Sequence, residues 1–322
     1  MAEFIKGGGS SLFLNIIEDG AGNSINTGTG FIAELPFTTE AFNPVGEFIS
    51  SNAIAGGRSR GIGCLGNKAG DGSFDVELTK ENFGILFYAA LGAVNTGVIS
   101  PSDDDLPVYD IYIRHGNDTN MIYKYESQRV GSMRISFASN AVLTASIDWS
   151  GFTWSKVSAL PVTPEWELSD GNTILCPLAL ADIELDGTSI LDAITGLEFT
   201  INNGLDTDTN SLNAGGRLAV IPGEFSLTGS LTFLVPKSGT LYTQLVNLDI
   251  GDKIADELAI HMAADDSDTI LLQNVYATQP THDITGREKV SFRVDFQCVQ
   301  GASTDPIAVT PFAESLDPIT FD

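Results

Sequence analysis

The chain has 322 residues, 43% hydrophobic and only 18% charged, a globular balance with length for two ordinary domains. Its 42 acidic residues against 16 basic ones give a net charge of −26, which excludes a nucleic-acid grip built on Lys and Arg. The same charge suits a surface that nucleic acid passes without sticking, and equally suits simple solubility or a high-salt habitat.

In chain order, no basic segment followed by a long apolar core comes after Met1, so no secretory signal is expected, and no apolar run reaches membrane-spanning length. A soluble product of a cytoplasm is the expectation. Residues 1–34 read as an arm and a first strand, from the apolar patches Leu12 to Ile17 and Phe31 to Leu35. Residues 36–60 read as a long loop without regular structure, whose aromatics Phe37, Phe42 and Phe48 favour docking over disorder. From Gly72 to Thr79, Phe74, Val76 and Leu78 alternate with Ser73, Asp75 and Glu77, which predicts a half-buried strand. Lys80 to Leu91 carries Phe83, Leu86, Phe87 and Ala90 at helical spacing before Gly92, an amphipathic helix. Gly92 to Pro107 reads as a loop. Strands follow at Tyr109–Arg114, Met121–Tyr125, Ser132–Ala138 and Val142–Trp149, then a connector punctuated by Pro161, Pro164 and Pro177. The second half predicts strands at Leu197–Asn202, Glu224–Val235, Leu258–Met262, Thr269–Val275 and Val290–Val299, a loop over Asp206–Gly216 and a helix over Leu241–Leu248. Residues 302–322 read as an acidic tail that orders on contact at best.

These two halves match. Ala55-Gly56-Gly57-Arg58 recurs as Ala214-Gly215-Gly216-Arg217, Gly72-Ser73-Phe74 as Gly229-Ser230-Leu231, and Phe83 and Leu86 as Tyr242 and Leu245. Further on, Ile111-Tyr112-Ile113 matches Leu258-Ala259-Ile260, and Ile147-Asp148-Trp149 matches Val294-Asp295-Phe296. The offset falls from 157–159 to 147 across the loop after the first helix, where a change of length costs little. A period this long means two domains, not a solenoid. The expected division is a first domain over 1–160, a connector over 161–180, a second domain over 181–301 and the tail over 302–322.

Catalytic and ligand motifs are weak. Gly61-Ile62-Gly63-Cys64-Leu65-Gly66 matches GxGxxG but leads into a strand, whereas pyrophosphate binding needs a helix N-terminus there. Asp206-Thr207-Asp208-Thr209-Asn210 resembles the start of a calcium loop, yet Ser211 replaces the turn glycine and Arg217 the bidentate Glu. Asp103-Asp104-Asp105 and Asp265-Asp266-Ser267-Asp268 are oxygen-rich, but Asp is also an ordinary turn residue. His115, His261 and His282 stand at unmatched positions without a nucleophile motif. Cys64, Cys176 and Cys298 are odd in number and widely spaced, which excludes a disulfide framework and zinc spacing and predicts buried thiols. No enzyme activity, cofactor or metal is expected. Trp149 and Phe296, ending equivalent strands, are expected in the core, with Asp148 and Asp295 on the opposite face.

A long loop ending in Gly-Gly-Arg, a Gly-Ser-Phe strand, an aromatic helix closing on Ala89-Ala90-Leu91-Gly92, and a second copy opening at Leu197-Glu198-Phe199-Thr200-Ile201-Asn202-Asn203 complete a recognisable order. Over roughly residues 35–300 the chain resembles the major tail tube proteins of long-tailed bacteriophages. That resemblance implies two antiparallel β-sandwich or half-barrel units, each with one short helix. It implies rings stacked into a hollow virion tube that conducts DNA, with tape measure, tip and terminator proteins as partners. It also implies inner sheets joined into one barrel, bridged between rings by the long loop and the N-terminal arm. One-unit tube proteins form six-fold rings, so two units per chain imply three chains. Asp75, Glu77, Asp148 and Asp295 are the lumen-facing candidates, and Phe37, Phe42 and Phe48 the ring-stacking candidates. A secreted adhesin or carbohydrate-binding β-protein, and a capsid or decoration protein, are the alternatives.

Overall fold

The computed structural model describes residues 10–24, 32–50, 63–116, 121–139, 141–161, 166–167, 174–176, 180, 182–209, 217–234, 248–262, 268–284 and 290–312. The first half supplies β1 (Ser11–Glu18), β2 (Ile32–Leu35), β3 (Thr39–Glu40), β4 (Asn43–Ser50), β5 (Gly63–Glu77), α1 (Lys80–Leu91), β6 (Gly92–Asn95), β7 (Val98–Pro101), β8 (Val108–Arg114), β9 (Ile122–Ala138), β10 (Thr144–Ser150), β11 (Thr153–Val157) and β12 (Trp166–Glu167). The second supplies β13 (Asp182–Leu185), β14 (Thr188–Ser189), β15 (Ile194–Asn202), β16 (Ser226–Leu234), β17 (Lys253–His261), β18 (Thr269–Ile284), β19 (Val290–Cys298) and β20 (Ile307–Thr310). The fold is mainly β, as the clustered Gly/Asn/Asp/Ser punctuation predicts.

Two antiparallel surfaces share the long strand β9. Its N-terminal half joins β8 and β11, and β8 carries β1 and β2 beyond it. Its C-terminal half lies between β10 and β15 and starts a run of strands that crosses from one half of the chain into the other. The order is β3 and β4 on β5, then β10, β9, β15, β16, β19 and β18. Between the surfaces lies the core, with Phe74, Tyr109, Trp149, Phe199, Phe292 and Phe296 among its fully buried side chains.

Pairing in the two halves repeats over most of the shared strands. Ile147 opposes Phe74 and Trp149 opposes Gly72; in the second half Val294 opposes Leu231 and Phe296 opposes Gly229. Ile111 opposes Tyr125 and Ile113 opposes Tyr123, while 147 residues later Leu258 opposes Leu272 and Ile260 opposes Ile270. A bulge interrupts β9 against β10 between Val130 and Ser132, and β18 against β19 between Ala277 and Gln279. Even the left-handed backbone recurs, at Ser127 (φ 53°) and Asn274 (φ 51°).

Helix α1 begins at Thr79, whose hydroxyl accepts from the Asn82 N–H while the Asn82 side chain accepts from the Thr79 N–H, a reciprocal cap with Asn in the place of Glu or Gln. It ends at Gly92, φ 92°, whose N–H donates to the Tyr88 carbonyl. Instead of one apolar face, the helix buries every residue from Asn82 to Leu91. It packs against β6, β7 and β9, and Phe312, just past β20, lies on Phe83 at 5.5 Å; β20 itself pairs with both β18 and β7. Residues 306–312 therefore belong to the folded core and are not part of a tail. Two further loop expectations are also revised. Gly92–Pro107 contains the β6–β7 hairpin, and residues 43–50 form a ribbon with β5 instead of an irregular loop. The predicted second helix lies outside the described residues except for Leu248.

Candidate functional surface

Strand alternation sorts the β5–β10–β9–β15–β16–β19 surface into an apolar face toward the core and a polar face away from it. Three cross-strand rows make up most of the polar face. The first is Ser73–Asp148–Ser132–Asn202, and the second Asp75–Ser146–Arg134–Thr200–Thr228–Gln297. The third is Glu77–Thr144–Ser136–Glu198–Ser230–Asp295, extended by Gln279 on β18. All four acidic candidates, Asp75, Glu77, Asp148 and Asp295, thus share one face of one sheet.

Small hydroxyl side chains fill the spaces between the charges. Thr39 Oγ1 donates to Asp75 Oδ2 at 2.5 Å, and the Ser146 and Thr39 hydroxyls together hold the Asp75 carboxyl below its ordinary range. Ser132 Oγ donates to Asp148 Oδ2 at 2.6 Å. Two cations also stand on this face, and each is tied to an acid. Arg134 Nη2 lies 2.5 Å from Glu198 Oε2, and Arg293 Nε 2.8 Å from Asp295 Oδ1. Glu198, Arg134 and Arg293 are absent from the sequence candidates. The alternation Leu197-Glu198-Phe199-Thr200-Ile201-Asn202 places Glu198 on the polar face as clearly as that of Phe74 to Leu78 places Asp75. Which positive charges pair with which carboxylates depends on strand order, which the alternation does not encode.

The stacking candidates separate. Phe42, 6% exposed, packs in its own core, with ring centroids 4.8 Å from Tyr125 and 6.3 Å from Phe74. It is no surface for a neighbour, since β5 and Tyr125 already enclose it. Phe37 is half-buried against the same core. The Phe48 side chain lies outside the described residues.

Other motifs resolve into structure. Gly63 to Gly66 of the glycine motif begin β5. Asp206 Oδ1 accepts from the Asp208 N–H at 2.9 Å, a turn, and Arg217 is clamped onto Asp71 of β5, with Nη2 to Oδ2 at 2.7 Å. His115 lies 3.8 Å from Glu40 and His261 3.8 Å from Glu184, on separate parts of the chain; the His282 side chain is outside the described residues. No group of three potential metal ligands occurs among the described residues. Only Cys298 is buried, with its thiol pushed up to about 12 by desolvation; Cys64 and Cys176 are exposed, contrary to the buried expectation.

Among the described residues, a polar, acid-rich sheet face, sheet edges left unpaired and a core filled from both halves of the chain define a β-sheet protein without a recognisable ligand site. A family described as "Phage tail tube protein" matches residues 10–298, and the chain belongs to it. It is thus a structural protein of the phage tail, in a family whose members build the tail tube. No curated protein sequence matches the chain significantly.

Proposed function

We propose that each chain carries two tandem tube units and that three chains close into a ring with approximate six-fold symmetry. Rings stack into a hollow tube whose bore is lined by the polar face bearing Asp75, Glu77, Asp148, Glu198 and Asp295. The single observation behind this reading is the repeated register: two halves that pair alike over most of their shared strands, with the same bulge and the same left-handed residue, offer near-equivalent interfaces for cyclic closure. The first unit runs to about residue 160. The second runs from about 181 to 312, because β20 occupies on β18 the place that β11 occupies on β9.

The protein performs no turnover. It conducts DNA without binding it, contacts tape measure, tip and terminator proteins at the tube ends, and reaches the virion by assembly. The β4–β5 ribbon, whose counterpart among the described residues of the second half is the single bridge Asp206–Ile221, links successive rings. Native mass measurement of isolated rings tests the stoichiometry: three chains are expected, and six would overturn it. Negative-stain microscopy tests the tube; closed shells, or monomers at every concentration, would count against it.

A further inference from the structure

We infer that adjacent chains join by pairing β18 of one with the β3–β4 segment of the next, antiparallel, with Ala41 opposite Asp283. This deepens the ring reading above and rests on it. The internal junction supplies the geometry: β15 of the second half lies on β9 of the first, with Gly196 opposite Ala138, Glu198 opposite Ser136 and Asn202 opposite Ser132. Each partner has an equivalent at the far end of the sheet. Residues 39–45 pair with β5 just as residues 196–202, 157 positions later, pair with β16: Thr39 with Asp75 and Asn43 with Asp71, Gly196 with Thr232 and Thr200 with Thr228. β18 corresponds to β9 at an offset of 147.

Among the described residues, both equivalents lack an outer neighbour. The C-terminal half of β18 pairs with β19 on one edge and with no strand on the other, the edge where β9 receives β15. The β3–β4 segment pairs only with β5. Ala41 N–H donates to Ser73 of β5, so the alternate residues Glu40, Phe42 and Pro44 turn their backbone groups outward. The Phe42 N–H is meanwhile held by its own Glu40 carboxylate at 3.1 Å.

Transferring the internal register gives Glu40 opposite Ile284, Ala41 opposite Asp283, Phe42 opposite His282, Asn43 opposite Thr281, Pro44 opposite Pro280 and Val45 opposite Gln279. The two prolines, which lack N–H donors, thus coincide at one rung, which forms no hydrogen bond and leaves no N–H without an acceptor. Two different edges that fit one another make a heterologous contact, the kind that closes into a ring. Proline and the Glu40 cap discourage pairing with unrelated strands.

Cross-linking in a Cys64→Ser, Cys176→Ser background tests the register. Opposed residues lie about 4.5–5.5 Å apart at Cα, within disulfide reach. Oxidised assemblies of Ala41→Cys with Asp283→Cys should give covalent multimers up to the ring stoichiometry. Ser136→Cys with Glu198→Cys, the equivalent internal pair, should close within one chain. Ala41→Cys with Gln279→Cys is displaced by ~13 Å and should not link. Equal linking of the displaced pair overturns the register, as does failure of the inferred pair while the internal pair closes. Assembled tubes without the inferred cross-link would sink only this interface; a wild type that never forms rings would sink both readings. Hydrogen exchange on the unmodified protein needs no variant: peptides covering 40–45 and 279–284 should gain protection on assembly, and unchanged exchange there in formed tubes overturns the pairing.

Discussion

At the residue scale, the recurring Gly-Ser pair has a steric cause. A Cβ on Gly72 would lie 2.3 Å from Phe42, and one on Gly229 2.4 Å from Phe296, so only glycine lets an aromatic ring lie across the strand. Gly229→Ala should cost about 1–3 kcal/mol in urea unfolding, as overpacking does. An unchanged midpoint would show that Phe296 moves aside freely. Asp75 carries the pH signature. Its folded pKa is depressed by the Thr39 and Ser146 hydroxyls, so its contribution to stability is fully present above the unfolded value near 3.8 and is lost as pH falls through the folded pKa. Thermal melts below pH 4 should therefore fall more steeply in the wild type than in Thr39→Ala with Ser146→Ala. The change is small because Asp75 is largely solvated. Parallel pH curves would remove this assignment.

At the element scale, β20 closes the core from a distance of more than 200 residues in sequence from its partner β7. Phe312, 1% exposed, caps α1 beside Phe83 and beneath Lys80, whose ammonium lies 5.1 Å from the ring. Phe312→Ala should cost about 3–5 kcal/mol, with increased exchange of α1 amides. A loss below about 1 kcal/mol would mean that β20 is peripheral. The sequence did not disclose this element, because four residues of Ile-Ala-Val-Thr in an acidic, Pro-containing stretch carry too little periodicity to outweigh their surroundings. The β8 strand, buried on both faces, was legible as a short apolar run, whereas the β5, β10 and β19 strands were legible because each alternates cleanly over six or more residues with one face in the core. The polar face was legible for the same reason, and its four acidic candidates fall together on it. The β4–β5 ribbon was not legible, since a strand without a fixed buried face has no alternation to read. The near-total burial of α1 was hidden as well, because its polar positions are few and what covers it, β6, β7, β9 and Phe312, is set by tertiary packing.

At the scale of the whole molecule, the proposed bore must be charged enough to repel phosphates yet hold no free cation that would detain them. Five carboxylates share the polar face with Arg134 and Arg293, each bonded to an acid. The exposed pair Arg134–Glu198 contributes little to folding, about 0.5 kcal/mol or less. Its value on the proposed reading is to keep a guanidinium engaged where DNA slides past. Glu198→Gln keeps the side-chain size and a hydrogen-bond acceptor but leaves the Arg134 charge unneutralised, once per chain and so in a repeating row along a tube. Tubes of this variant should form normally and melt with the wild type. They should retain duplex DNA at low salt where wild-type tubes do not, and release it as ionic strength rises, because binding through phosphates weakens steeply with salt. Arg134→Gln in the same background should abolish the retention. That second arm separates capture by Arg134 from a general loss of negative charge, which would persist without the arginine. If Glu198→Gln tubes ignore DNA at every salt concentration, either the arginine is not exposed to the bore or the face lines another surface of the tube.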